Sequence, residues 1–129
     1  ANGKLSWMNK IPKNQVGKRG RGGMSYQYLF NNNHHYVVFL DNVKNVELPV
    51  AGKAPYQHSD GHGGYLTCVK INDADGKSTK GSILNVREIE DFNIHQIDMD
   101  RVFQTSENSF MMEAYKKKKE DVMLKINLN

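Results

Sequence analysis

A single cysteine, Cys68, stands in a chain of 129 residues, so no intramolecular disulfide can brace the fold. Its setting in the run Tyr65-Leu66-Thr67-Cys68-Val69 marks it as a buried, inert thiol. No apolar run comes near the roughly 20 residues that a spanning helix needs, and no signal-like segment opens the chain. Insertion in a membrane is not expected. Acidic residues are missing from residues 1–30, which carry Lys4, Lys10, Lys13, Lys18, Arg19 and Arg21. The remaining residues hold 12 bases against 14 acids, so the net charge of +4 is an N-terminal property, and such an asymmetry raises the question of an acidic partner. Paired carboxylates in distinct settings, a Ser-His-Asp order tied to a nucleophile elbow and a Gly-rich phosphate loop are all missing. The sequence therefore offers no enzyme mechanism and implies no cofactor.

What remains is a chain of short alternating runs cut by polar turns. Apolar residues make up 38%, and the 11 glycines fall in clusters, a mix suited to many strands in one domain spanning residues 1–129. Lys4 to Met8 reads as a strand that Ile11-Pro12 ends, because proline cannot donate to a ladder. Met24 to Phe30 and His35 to Leu40 flank Asn31-Asn32-Asn33, and together they predict a hairpin. Residues 42–64 are a long connection. A second hairpin follows, Tyr65 to Ile71 and Ser78 to Val86 around Asp73-Ala74-Asp75-Gly76. Further strands are expected over Ile97 to Gln104, Ser109 to Lys116 and Asp121 to Leu128. Propensity alone would allow a helix over Phe110 to Asp121, but the comparison between the two halves favours strand.

The halves align as units, residues 24–86 with four strands and residues 97–128 with three. The run Leu124-Lys125-Ile126-Asn127, continued into Asn2-Gly3-Lys4, nearly repeats the hairpin around Asp75-Gly76. An N-terminal strand at residues 3–10 would thus complete the second unit. The expected fold class is all-β, in antiparallel four-stranded repeat units arranged as propeller-like blades. A single β-sandwich or barrel is the alternative. Two blades cannot close a ring, so the chain is expected to be a segment of a longer protein or to associate with copies of itself.

Several runs carry a resemblance: Gly3-Lys4-Leu5-Ser6-Trp7, Ile11-Pro12-Lys13-Asn14-Gln15, and Tyr36 to Asn42 followed by Asn45. A Lys-rich stretch leading into Glu120-Asp121-Val122-Met123-Leu124-Lys125-Ile126 completes the set. In these the chain resembles the C-terminal region of large, propeller-like secreted or surface proteins of Bacteroidetes bacteria. The resemblance implies an extracytoplasmic location and a role in assembly or adhesion, and it brings no catalytic residues with it.

Three polar groupings are candidate sites. His58, Asp60 and His62 offer imidazole and carboxylate ligands suited to zinc or a similar metal, with His34 and His35 on another turn. No helix holds the two histidines on one face, so an ordinary loop is the competing reading. Lys18, Arg19 and Arg21, set among glycines, read first as a solvated or partner-facing loop and second as a contact for an acidic ligand; Trp7 reads first as a packed strand residue and second as a platform for a sugar. The aromatics that follow, Tyr26, Tyr28 and Phe30, alternate as strand residues do, which weighs against nucleic acid as the partner. Asp73-x-Asp75-Gly76 looks like part of a calcium loop, yet the twelfth position holds Leu84 where a bidentate Glu is needed, so a hairpin turn is the better reading. Lys116 to Lys119 reads as charge that guards a strand edge.

Function then falls into three classes. The leading one is a non-enzymatic extracytoplasmic binding or structural module that engages a protein partner or itself. An acidic-glycan-binding module through Trp7, Lys18, Arg19 and Arg21 comes next. A metal protein or enzyme built on His58, Asp60 and His62 ranks last.

Overall fold

The computed structural model describes residues 2–17, 26–46, 53–59, 64–85, 94–116 and 120–128. The chain is all-β, and its main elements are two antiparallel sheets. The first sheet runs β2(Gln27–Asn31), β3(His34–Asp41), β5(Tyr65–Asn72) and β6(Ser78–Asn85) in that spatial order. The second is the meander β7(Ile94–Ser106), β8(Ser109–Lys116), β9(Glu120–Asn127). A two-residue parallel pair, β1(Gln15–Val16) with β4(His58–Ser59), and a 3-10 turn at Val43–Asn45 are the other elements among the described residues.

Local chemistry sets each turn. Asn32 and Asn33 join β2 to β3 with φ of 49° and 58°, and asparagine tolerates this left-handed region better than most residues. At the β5–β6 hairpin the Asn72 side chain accepts from the amides of Ala74 and Asp75, Gly76 takes φ of 69°, and Asn72 N–H donates to the Lys77 carbonyl at 2.9 Å. The turn reading of Asp73 to Gly76 is what the structure shows.

Period-two alternation decides what lies between the sheets. Leu29, Tyr36, Val38, Leu40 and Leu66 of the first sheet share one buried cluster with Phe110, Met112, Ala114, Ile126 and Leu128. The two sheets therefore pack face to face over a common apolar layer. A register shift between Leu66 and Thr67 leaves one extra residue in β6, and Ile83 and Leu84 both reach this layer as a result. The segment Phe110 to Lys116 is strand, as the comparison of the two halves implied.

The opposite face of the first sheet is also apolar. Phe39, Val69 and Ile71 are buried there under Trp7 and Ile11, with Val37 alongside. Here the sequence expectation needs correction. Residues 2–14 form no strand and do not complete the second sheet; they cross the first one as irregular chain. The reason is polar anchoring: Trp7 Nε1 donates to the Asp73 carbonyl at 2.7 Å, Asn9 Nδ2 to the Gly76 carbonyl at 2.8 Å, and Asn14 Nδ2 to the Pro55 carbonyl at 3.1 Å. Side chains, not a backbone ladder, hold this segment down. Among the described residues, the order of the second sheet ends at β9.

Candidate functional site

Two polar clusters lie on the face that the N-terminal segment crosses. The first is exposed and centres on His35. Register places Phe30 directly opposite His35 and His35 opposite Ile71, so an imidazole from β3 sits among residues of the neighbouring strands. Its Nε2 lies 2.7 Å from Asp73 Oδ1, and its Nδ1 lies 2.8 Å from the Tyr28 hydroxyl. A carboxylate only accepts, so Nε2 carries the proton toward Asp73; in the neutral ring Nδ1 then accepts from Tyr28. Both ring nitrogens are thereby occupied within the protein. Trp7 meets the ring edge-on at 5.4 Å between centroids, and Phe30 tilts against it at 5.0 Å.

This arrangement fixes a row of aromatic side chains. Tyr26, Tyr28 and Phe30 alternate with Gln27 and Leu29, and Leu29 goes to the core, so the three rings project from the other side. They remain 55%, 53% and 47% exposed. Lys13 stands over Tyr26 at 5.3 Å and over Phe39 at 5.7 Å, and burial pushes its pKa down. The row is apolar with a cationic neighbour, and the Tyr28–His35–Asp73 chain keeps it from swinging.

The second cluster is buried. Asp41 closes β3, Asn45 closes the 3-10 turn, and Lys80 lies on β6. Lys80 Nζ meets Asp41 Oδ2 at 2.9 Å and the Asn45 carbonyl at 3.0 Å. Asn45 Nδ2 donates to Asp41 Oδ1 at 2.7 Å and to the Tyr56 carbonyl at 2.8 Å, while Asn45 Oδ1 accepts from Tyr56 N–H at 2.8 Å. Asn42 caps the turn by accepting from Lys44 N–H at 2.9 Å and ties it to the Gln57 carbonyl at 2.7 Å. The long connection is thus bound to the sheet by side-chain amides.

The residues singled out from sequence fall unevenly. Trp7 is half-buried, spends its indole N–H on Asp73 and lies against the Cα of Gly76. His58 is buried on β4, its ring against Gly64, whose φ of 147° brings its backbone close to both that ring and the Asp41 carbonyl. Asp60, His62, Lys18, Arg19 and Arg21 lie outside the described residues. Among the described residues no group of three His, Cys, Asp or Glu side chains could hold a metal ion, and no helix is long and apolar enough to cross a membrane.

Sequence reasoning missed the Asp41–Asn45–Lys80 cluster. The signal was there in outline: alternation puts Asp41 on the face of Val37 and Phe39, and a carboxylate buried among such residues needs a partner. Lys80 is the one base within β6. Compared with protein-family models, with curated proteins and with solved structures, the chain matches none.

Proposed function

We propose that this chain is a non-enzymatic, extracytoplasmic binding module whose partner is a protein surface, in the first instance a second copy of itself. The observation that carries the reading is the row Tyr26, Tyr28 and Phe30, three rings about half exposed at the end of a sheet. Large exposed aromatics in one line are costly to leave in water and are typical anchors of protein contacts. A two-fold axis beside β2 would lay each row on its counterpart, and rings are self-complementary because offset and edge-on pairs are both favourable. Polar atoms at the site serve the row: Tyr28, His35 and Asp73 hold one another.

Sedimentation of the chain from low to high micromolar concentration tests this. The expected result is a mass that rises with concentration and a double variant, Tyr28→Ser with Phe30→Ser, that stays monomeric. A wild-type chain that is monomeric throughout overturns the homotypic reading. Retention on heparin that disappears in moderate salt, without any self-association, transfers the function to an acidic glycan, for which the base-rich first 30 residues would be responsible.

A further inference from the structure

The buried trio Asp41, Asn45 and Lys80 does more than tie a loop down. One carboxylate bridges an amine and a side-chain amide, with Oδ2 at 2.9 Å from Lys80 Nζ and Oδ1 at 2.7 Å from Asn45 Nδ2. The Lys80 and Asp41 side chains are only 11% and 2% exposed, and Asn45 is fully buried. Water is excluded. The amide oxygen of Asn45 receives the backbone N–H of Tyr56 at 2.8 Å, and the Lys80 amine donates to the main-chain carbonyl of Asn45 at 3.0 Å. Amine, side-chain amide, carboxylate and a backbone N–H on the amide oxygen are therefore gathered in one largely buried cluster.

We propose that Lys80 and Asn45 join through an intramolecular isopeptide bond, with Asp41 as the catalytic proton carrier. The Lys80 ammonium gives a proton to Asp41 Oδ2, and the freed lone pair of Nζ attacks Cγ of Asn45. Negative charge that develops on Oδ1 falls on the Tyr56 N–H. Asp41 then passes its proton to Nδ2, the Cγ–Nδ2 bond breaks with its electron pair on nitrogen, and ammonia leaves. The new amide nitrogen returns its surplus proton to Asp41. The products are a secondary amide, a neutral aspartic acid and ammonia; no oxidant, reductant or further reactant takes part.

Burial supplies the direction. An ion pair shut away from water carries a desolvation penalty on both members, whereas an amide and a protonated acid carry much less. The cross-link joins positions 35 residues apart and fastens the connection after β3 to the far strand of the sheet. In a chain with one cysteine it does the work that a disulfide does elsewhere.

Intact-mass spectrometry of the folded chain, followed by peptide mapping, decides the matter. The expected result is a mass below that of the sequence by one ammonia, with a branched peptide joining the segments around Asn45 and Lys80. Lys80→Met and the near-isosteric Asp41→Asn should both show full mass. A folded wild-type chain that keeps its full mass overturns the proposal whatever the variants do. So does an ammonia loss that persists in Lys80→Met, which would place the chemistry elsewhere, and so does loss of one water with a Lys80–Asp41 branch.

Discussion

Substituting Gly76 by alanine tests how the N-terminal segment is held. The glycine sits at φ of 69°, and a Cβ built there would stand 2.8 Å from Trp7 Cγ and 2.9 Å from Trp7 Cβ and Cδ2. The left-handed backbone costs an alanine about 1–2 kcal/mol, set against roughly 0.4–1 kcal/mol gained from a stiffer unfolded chain. The indole must also retreat by about 1 Å to reach ordinary carbon contact. That movement strains the Trp7 Nε1 bond to Asp73, at about 1 kcal/mol, and the edge contact with His35, at about 0.5–1.5 kcal/mol. The expected loss is about 2–3 kcal/mol, a large share of the stability of an ordinary domain. Urea unfolding followed by far-ultraviolet circular dichroism measures it, and the emission of Trp7, the sole tryptophan, should shift to the red. In a Trp7→Ala background only the backbone cost should remain, about 1 kcal/mol, so the two sites should couple by about 1–2 kcal/mol. Equal costs in both backgrounds would refute the packing argument.

Two further outcomes follow from local geometry. Asn33→Val places a β-branched residue at φ of 58° in the β2–β3 turn and should lower stability by about 1–2 kcal/mol in thermal unfolding, whereas Asn33→Gly should leave it equal or higher. Burial raises the Cys68 thiol to about 11 from its ordinary 9.0, with Lys70 opposing in part. The unfolded chain releases this proton first, so the stabilisation is whole below pH 9 and is lost as pH rises through about 11. Cys68 is half-buried and not wholly enclosed, yet alkylation at pH 9 should be slower for folded than for urea-unfolded protein, and equal rates would contradict this setting.

The strands were legible because each is a short run rich in apolar, β-branched and aromatic residues that stops at turn residues. The largely apolar runs His35 to Leu40 and Tyr65 to Ile71, with asparagines or Asp-Gly between runs, locate β2, β3, β5 and β6 within a few residues of their observed bounds. The three strands after residue 94 were equally visible, with Ser109–Lys116 placed to the residue. Residues 3–10 misled because an Asn-Gly turn and the run Lys4 to Met8 carry strand chemistry, while the bonds that fix them run from Trp7 and Asn9 to a hairpin more than 60 residues away. No local pattern records such a contact. The pairing of β1 with β4 left no trace either, since two residues are too few to show a period. At the candidate site the row of rings was visible as composition, but its support was not: Tyr28, His35 and Asp73 belong to three separate elements, and only the sheet register brings them together.

The irregular opening of the chain has a practical corollary. A version shortened to begin at β2 would keep every long strand, yet it would strip Trp7 and Ile11 from Phe39, Val69 and Ile71 and wet an entire apolar face. Such a product should be prone to clumping even though its secondary structure survives, so the foldable unit is larger than its ladders suggest.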